Sequence, residues 1–393
     1  MRYLAKLVVV VTFLLLGVPP SYAASGMRAD VLDASFSKDH LLDARLALRF
    51  AVETSAANID REFACHGNNP DQATLCPGSA GILTNSEVRA QRTRQLVWID
   101  TGFGLGQDVE VRFSMPYVFQ DVRSLSFAGG VGLENSTLVD DVGGVMVPTL
   151  NFDNQPKRRG LGDLRIGVRT ALLSTERDDT QPDLVLRAEY TAPTAPAMQG
   201  TNLAVGEGLH QILMGVDSGC VLSRAIKAHM GLSFKARMVA NTQLYKTGYR
   251  TQSLEHPGAQ MEFVTGMTFI PWAPVAKEKF FVVTVEGGFL HTSAGREASL
   301  LFDALAGSLC SGNPECDTTE YFALPGESSN GITDIQEHIR FGASVELRYR
   351  PGKYFEFLAG VDFGFIPAHL LTSARYGEDI DQDTRLSTKD SIY

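Results

Sequence analysis

The sequence predicts an all-β protein, a transmembrane antiparallel up-and-down β-barrel of about 12 strands with short periplasmic turns and long extracellular loops. Three observations predict it. Apolar residues alternate with charged or small ones along nearly the whole chain, the connections between these runs alternate between short and long, and an export leader stands first.

In the leader, Arg2 and Lys6 precede an unbroken apolar run from Leu7 to Leu16, and Pro19, Pro20 and Ser21-Tyr22-Ala23 follow it. That is the charge, core and small-residue order of a signal peptide over residues 1–23, cut after Ala23. The run is shorter than the roughly 20 apolar residues an uncleaved anchor needs, and no cysteine near the cut indicates a lipoprotein. Loss of the leader removes Arg2 and Lys6 and no acid, which takes the formal net charge from -10 to -12 and disfavours a nucleic-acid partner. Beyond residue 23 no stretch of about 18 apolar residues occurs, so a membrane must be crossed by strands. The expected site is the outer membrane of a Gram-negative bacterium, in contact with its lipid and lipopolysaccharide. The expected organisation is leader 1–23, a periplasmic segment 24–43 and a barrel over 44–393.

The strands follow in order at about 44–55 and 95–105, then from Val109 to Phe119, where Val109, Val111, Phe113, Met115, Tyr117 and Phe119 oppose Glu110, Arg112 and Ser114. Leu164, Ile166, Val168 and Leu172 oppose Asp163, Arg165 and Arg169, and less regular runs lie at 183–193 and 209–222. From 226 to 238, Ile226, Met230, Leu232 and Phe234 oppose Lys227, His229, Lys235 and Arg237. Runs at 261–270 and 280–290 lead to Ile339–Tyr349, where Glu346 and Arg348 share the polar face, and to Phe355–Phe365. Each is about ten residues or longer, enough for a tilted strand to cross a bilayer.

Short connections occur at Gly106-Gln107, around Arg177-Asp178-Asp179, at Ser223-Arg224, between Trp272 and Lys279, and at Pro351-Gly352-Lys353. Long polar ones lie at 56–88, 121–160, 195–207, 241–257 and 294–335. A periplasmic start puts every long connection outside the cell. Closure needs an even strand count, so a twelfth strand is expected beyond Leu370, where Leu386, Thr388, Ile392 and Tyr393 alternate weakly.

A soluble periplasmic β-sandwich also alternates. Here one face of every strand is almost free of charge, and a lipid-facing Arg or Lys costs about 2–4 kcal/mol at the midplane, so the clean face suits lipid and the charged face a wet lumen. The candidate lumen-lining residues are Arg112, Arg165, Arg169, Lys235, Arg237, Glu346 and Arg348. Acids and bases nearly balance along the strands, so strong ion selectivity is not expected.

Cys65 and Cys76 flank Gly67-Asn68-Asn69-Pro70, and Cys310 and Cys316 flank Ser311-Gly312-Asn313-Pro314, which reads as two local loop disulfides with Cys220 left as a lone thiol. A metal site at the first pair with His66 has too few ligands. None of the eight histidines sits in a catalytic or metal motif, and Gly102–Gly106 lacks the Lys and the helix of a phosphate loop. No enzymatic activity, cofactor or metal is therefore expected. Ala294–Ala306 has the pattern of a short amphipathic helix in the last large loop, expected on the rim, and 121–160 is expected as an external loop.

The segments Gly104-Leu105-Gly106-Gln107-Asp108-Val109-Glu110-Val111-Arg112-Phe113-Ser114-Met115-Pro116-Tyr117 and Gly160-Leu161-Gly162-Asp163-Leu164-Arg165-Ile166-Gly167-Val168-Arg169, with Pro193-Thr194, resemble the phenol-degradation type (meta-pathway) outer-membrane proteins, related to the long-chain fatty-acid transporter superfamily. The resemblance covers roughly residues 88–195 and implies a channel or transporter passing a small, often hydrophobic, solute; it carries no catalytic residues. The fatty-acid transporters plug the lumen with an N-terminal hatch, and residues 24–43 are too few for one. The alternative expectation is a structural or surface-interaction barrel with a closed lumen and function in its disulfide-braced loops. Solute identity and oligomeric state are not encoded in any motif.

Overall fold

A computed structural model describes residues 44–372 apart from 66–80, 149–155, 241–255, 273–279, 307–330 and gaps of one or two residues. The leader, the segment 24–43, the tail from 373, Cys76, Cys310, Cys316 and the side chain of Cys65 lie outside the described residues, and with them both expected disulfides and the alternating end at Leu386–Tyr393.

The elements are β1 (Ala44–Cys65), β2 (Gly81–Gly104), β3 (Val109–Phe127), β4 (Val139–Val142), β5 (Val145–Pro148), β6 (Arg158–Leu161), β7 (Leu164–Leu173), β8 (Asp183–Ala192), β9 (Leu209–Ser223), β10 (Ile226–Val239), β11 (Gln260–Trp272), β12 (Phe280–Thr292), β13 (Gly295–Glu297), helix α1 (Phe302–Leu305), β14 (Thr333–Ile335), β15 (His338–Gly352), β16 (Phe355–Phe365) and β17 (Leu371–Thr372). One 12-stranded antiparallel sheet runs β1-β2-β3-β7-β8-β9-β10-β11-β12-β15-β16 in chain order, with β6 also paired to β3. It is an up-and-down curled sheet, with β1 and β16 as its two edges among the described residues. β4 pairs with β5, and β13-β14-β17 form a separate small sheet.

β6 and β7 lie end to end along β3, broken at Gly160-Leu161-Gly162-Asp163. Gly160 holds φ +136°, open to glycine alone, and a Cβ on Gly162 would stand 2.7 Å from Pro116 Cγ. The glycines of this strand-start pattern thus serve a kink and a close approach.

The sheet is polar on its concave face and apolar on its convex one. Leu46 is 68 % exposed, Met214 63 % and Phe365 65 %, whereas Glu110, Arg169 and Asp217 are 1 %, 3 % and 3 % exposed. This inverts a water-soluble sheet, in which the apolar face is the buried one. Exposed aromatics stand at both ends of the apolar zone, with Phe103, Phe269 and Tyr349 toward the short turns and Phe119, Tyr190, Phe234 and Phe341 toward the long connections.

One expectation is corrected. The segments 56–88 and 121–160 are largely strand at their flanks, because β1, β2 and β3 run for 22, 24 and 19 residues against 10 in β7. Ten tilted residues already span an apolar band of about 25 Å, so the first three strands rise well past it. Above Val52, Val97 and Phe119 their convex positions turn mostly polar, with Thr54 and Asn58, then Thr93, Gln91 and Arg89, then Gln120, Ser124 and Ser126, Val122 being the apolar exception. Alternation loses its contrast where both faces turn polar, while the hydrogen-bonded ladder continues. The strand expected beyond Leu370 falls almost wholly outside the described residues, of which only β17 belongs to that stretch, paired with β14.

Candidate pore and its inward loops

Many of the concave charges are paired across the strands, most between neighbours and His229 with Glu286 over the intervening β11. Arg92 grips Asp121 through two bonds of 2.8 and 2.6 Å, Arg187 Nε lies 3.0 Å from Asp217, and His229 Nε2 lies 2.8 Å from Glu286, which also accepts Ser344 Oγ at 3.3 Å. Arg49 stands 3.6 Å from Asp100 and Arg94 3.8 Å from Glu53. Partial enclosure away from bulk water strengthens each pair relative to an exposed one.

Glycine on the adjoining strand gives many of these side chains room to lie flat. A Cβ on Gly364 would meet Arg340 Nη2 at 2.7 Å, one on Gly215 would meet Arg187 Nε at 2.7 Å, and one on Gly266 would meet His229 Nε2 at 2.7 Å. Gly102 underlies Glu110 in the same way. The wall therefore keeps its charges pressed against itself and out of the central space.

All seven candidate residues stand on this concave face. Arg112 Nε donates to Glu110 at 2.8 Å, and Arg169 pairs with the same carboxylate. Arg348 lies 3.7 Å from Glu346, and Arg237 donates to Gly258 O at 2.6 Å and pairs with Glu297. Arg165 lies over the Trp98 ring, 4.3 Å from its centroid. Lys235 is within electrostatic reach of Arg165, Glu189, Glu207 and Arg237. Cys220 is a free, exposed thiol on β9.

Two of the long connections fold into the concavity. The segment 294–306, expected as a helix on the rim, makes β13 and then α1, whose residues are all buried. Leu301, Ala304 and Leu305 pack on Val88, Ala90 and Leu125 of β2 and β3, while Phe302 packs with Leu209 of β9 and Val239 of β10. β7 and β8 stand between those two groups in the sheet, so one helical turn touching both lies over the concave face rather than outside it. The rim placement is thereby corrected. Full burial of each large apolar side chain is worth about 1.5–3 kcal/mol, more than a wet rim could supply.

The segment 195–207 also turns inward, setting Val205 against Leu96, Trp98 and Val118. Asp163 accepts N–H groups from Ala195 at 3.0 Å and Glu207 at 3.2 Å, and burial still pushes its carboxyl above the usual range.

One buried cation joins both segments. Arg158, fully buried on β6, donates to Asp303 Oδ1 from Nε at 3.0 Å and to the carbonyls of Asn202, Gln199 and Ala204 at 2.9, 3.0 and 3.3 Å. Arg123 Nη1 donates to the other Asp303 oxygen at 3.2 Å, and both guanidiniums approach the Phe302 ring. The sequence reading passed over all three residues. The available signal was Asp303 as the single charge in Leu300–Ala306, an acid in an apolar turn that has to find cations if it is buried.

No family model and no curated protein matches this sequence. Among solved structures, a crystal structure of the COG4313 outer membrane channel from Pseudomonas putida F1 is similar over 84 % of this chain and 97 % of that one, with a TM-score of 0.36 and 9 % sequence identity.

Proposed function

We propose that the protein is an outer-membrane channel for a small solute, with a water-filled conduit along the concave wall that the inward segments 195–207 and 294–306 close at the long-loop end. The observation that carries this reading is the inverted polarity of the sheet, apolar outside and charged inside, with the inner charges lying flat over glycines. A scaffold has no need to clear its own hollow; a conduit does. In this reading the leader 1–23 directs export, the convex face meets outer-membrane lipid and lipopolysaccharide, and Arg112, Arg165, Arg169, Lys235, Arg237, Glu346 and Arg348 line the path. Near balance of acids and bases along it favours weak ion selectivity.

The second reading, a closed barrel whose external loops carry the function, is favoured by the buried contacts of Arg158 and Asp303 across the hollow. Single-channel recording in a planar bilayer tests both. Stepwise currents are expected from the wild-type protein, brief if the inward segments shift only transiently. Silence from protein shown to be folded, together with silence from a variant lacking 294–306, overturns the channel reading.

A further inference from the structure

Most arginines of the inner wall touch a carboxylate: Arg49, Arg92, Arg94, Arg112, Arg169 and Arg187 all do. Arg165 and Lys235 do not, among the described residues. They are also near each other. Arg165 of β7 is in register with Thr191, Gln211 and Arg237, and Lys235 of β10 is in register with Leu213, Glu189 and Gly167, one inward position along. Two strands separate them, so their backbones stand about 14 Å apart along the wall, and two long side chains on a concave surface can converge over that distance.

The surroundings offer donors. Trp98, 6 % exposed, carries Arg165 over its ring, and its indole N–H has no hydrogen-bond partner among the described residues. Arg112 binds Glu110 through Nε and leaves Nη2 without a partner among the described residues. Apart from the carboxylates of Glu189 and Glu207, the groups here that seek a partner are donors or cations, so what fits against Arg165 and Trp98 is an acceptor bearing negative charge. Stacking on Trp98 fixes the Arg165 plane and leaves its N–H edge to grip a carboxylate by two parallel bonds, while Lys235 supplies a second point charge.

We infer that Arg165 and Lys235, with the Trp98 N–H, form a binding site for the carboxylate of a small organic acid on the conduit wall. The inference rests on the channel reading for the route of access. Glu189 and Glu207, within reach of Lys235 but not in contact with it, temper the site's charge. A solute held too firmly would not leave, so such tempering suits transit.

Trp98 is the reporter. The chain has two tryptophans, so Trp272→Phe leaves it as the sole source of indole fluorescence in the purified, folded protein. Sodium butyrate should change that fluorescence saturably, and the uncharged isostere butyramide should not. Arg165→Gln and Lys235→Gln should each raise the half-saturating butyrate concentration about tenfold, the usual scale for a charge-assisted hydrogen bond, and Lys227→Gln should leave it unchanged. An equal response to butyramide, an equal response to sodium chloride at matched ionic strength, or half-saturation unmoved in both glutamine variants overturns the site. Current without a butyrate response defeats this inference alone; a butyrate response from a protein that never conducts keeps the site and defeats the channel.

Discussion

Replacing Asp303 by alanine should release the inward turn without unfolding the wall. The substitution removes the one carboxylate that Arg158 and Arg123, both at most a few per cent exposed, are seen to share beside the Phe302 ring, while Arg158 keeps its carbonyl acceptors. Removing one partner of a buried ion pair costs about 3–5 kcal/mol, because the remaining charge stays desolvated. Here the protein has a cheaper response than global unfolding: Asp303 belongs to a connection, and withdrawing α1 readmits water to both arginines. At about 1.4 kcal/mol per decade, the balance between seated and withdrawn turn should shift by a factor of roughly 10²–10⁴. Planar-bilayer recording of Asp303→Ala should then give longer and larger openings than wild type, with an unchanged thermal transition of the barrel. Adding Arg158→Met and Arg123→Met should restore brief openings, since a matched apolar cluster can replace a buried ion pair. Conductance identical in wild type and Asp303→Ala, with equal protection of the Phe302–Leu305 amides from hydrogen exchange, would refute the reasoning.

Three further outcomes are expected. Gly364→Val should press Arg340 away from the wall and lower unitary conductance, at a stability cost near 1 kcal/mol because the clash falls on the far end of a flexible side chain; unchanged conductance would sink the flat-lying account. Leu232→Arg on the convex face should cost about 2–4 kcal/mol in chemical unfolding from lipid vesicles, whereas Gln91→Arg on the tall part of β2 should cost less than about 0.5 kcal/mol, and equal costs would contradict the height assigned to the band. Asp163→Ala removes the acceptor of two backbone N–H groups, so the amides of Ala195 and Glu207 should exchange about tenfold faster, as mass spectrometry can read.

Legibility in the sequence followed the contrast between the two faces of a strand. Between Val109 and Phe119 apolar residues on one side and charge on the other make the period obvious, and that run became the lower part of β3. From Gln120 to Phe127 the same strand carries Asp121, Arg123 and Leu125 inward and Gln120, Val122 and Ser124 outward, a mixture that no period-two pattern singles out. The glycine seats under Arg340, Arg187 and His229 were equally hidden, because each depends on which residue of a neighbouring strand falls alongside. Asp303 was visible as an odd acid in an apolar turn, but its partners lie 145 and 180 residues away, a pairing that single-sequence reasoning does not reach.

Those glycine seats bear on assembly as well as on conduction. A strand that slips by one residue turns its charges toward lipid, an error the bilayer itself punishes. A slip by two residues keeps every face correct and would escape that penalty. It would, however, carry Arg340 off Gly364 and Arg187 off Gly215, onto neighbours with side chains of their own. Each charge and its glycine thus act as a key and a notch, proofreading the register of adjoining strands at the one step where hydrophobicity is blind.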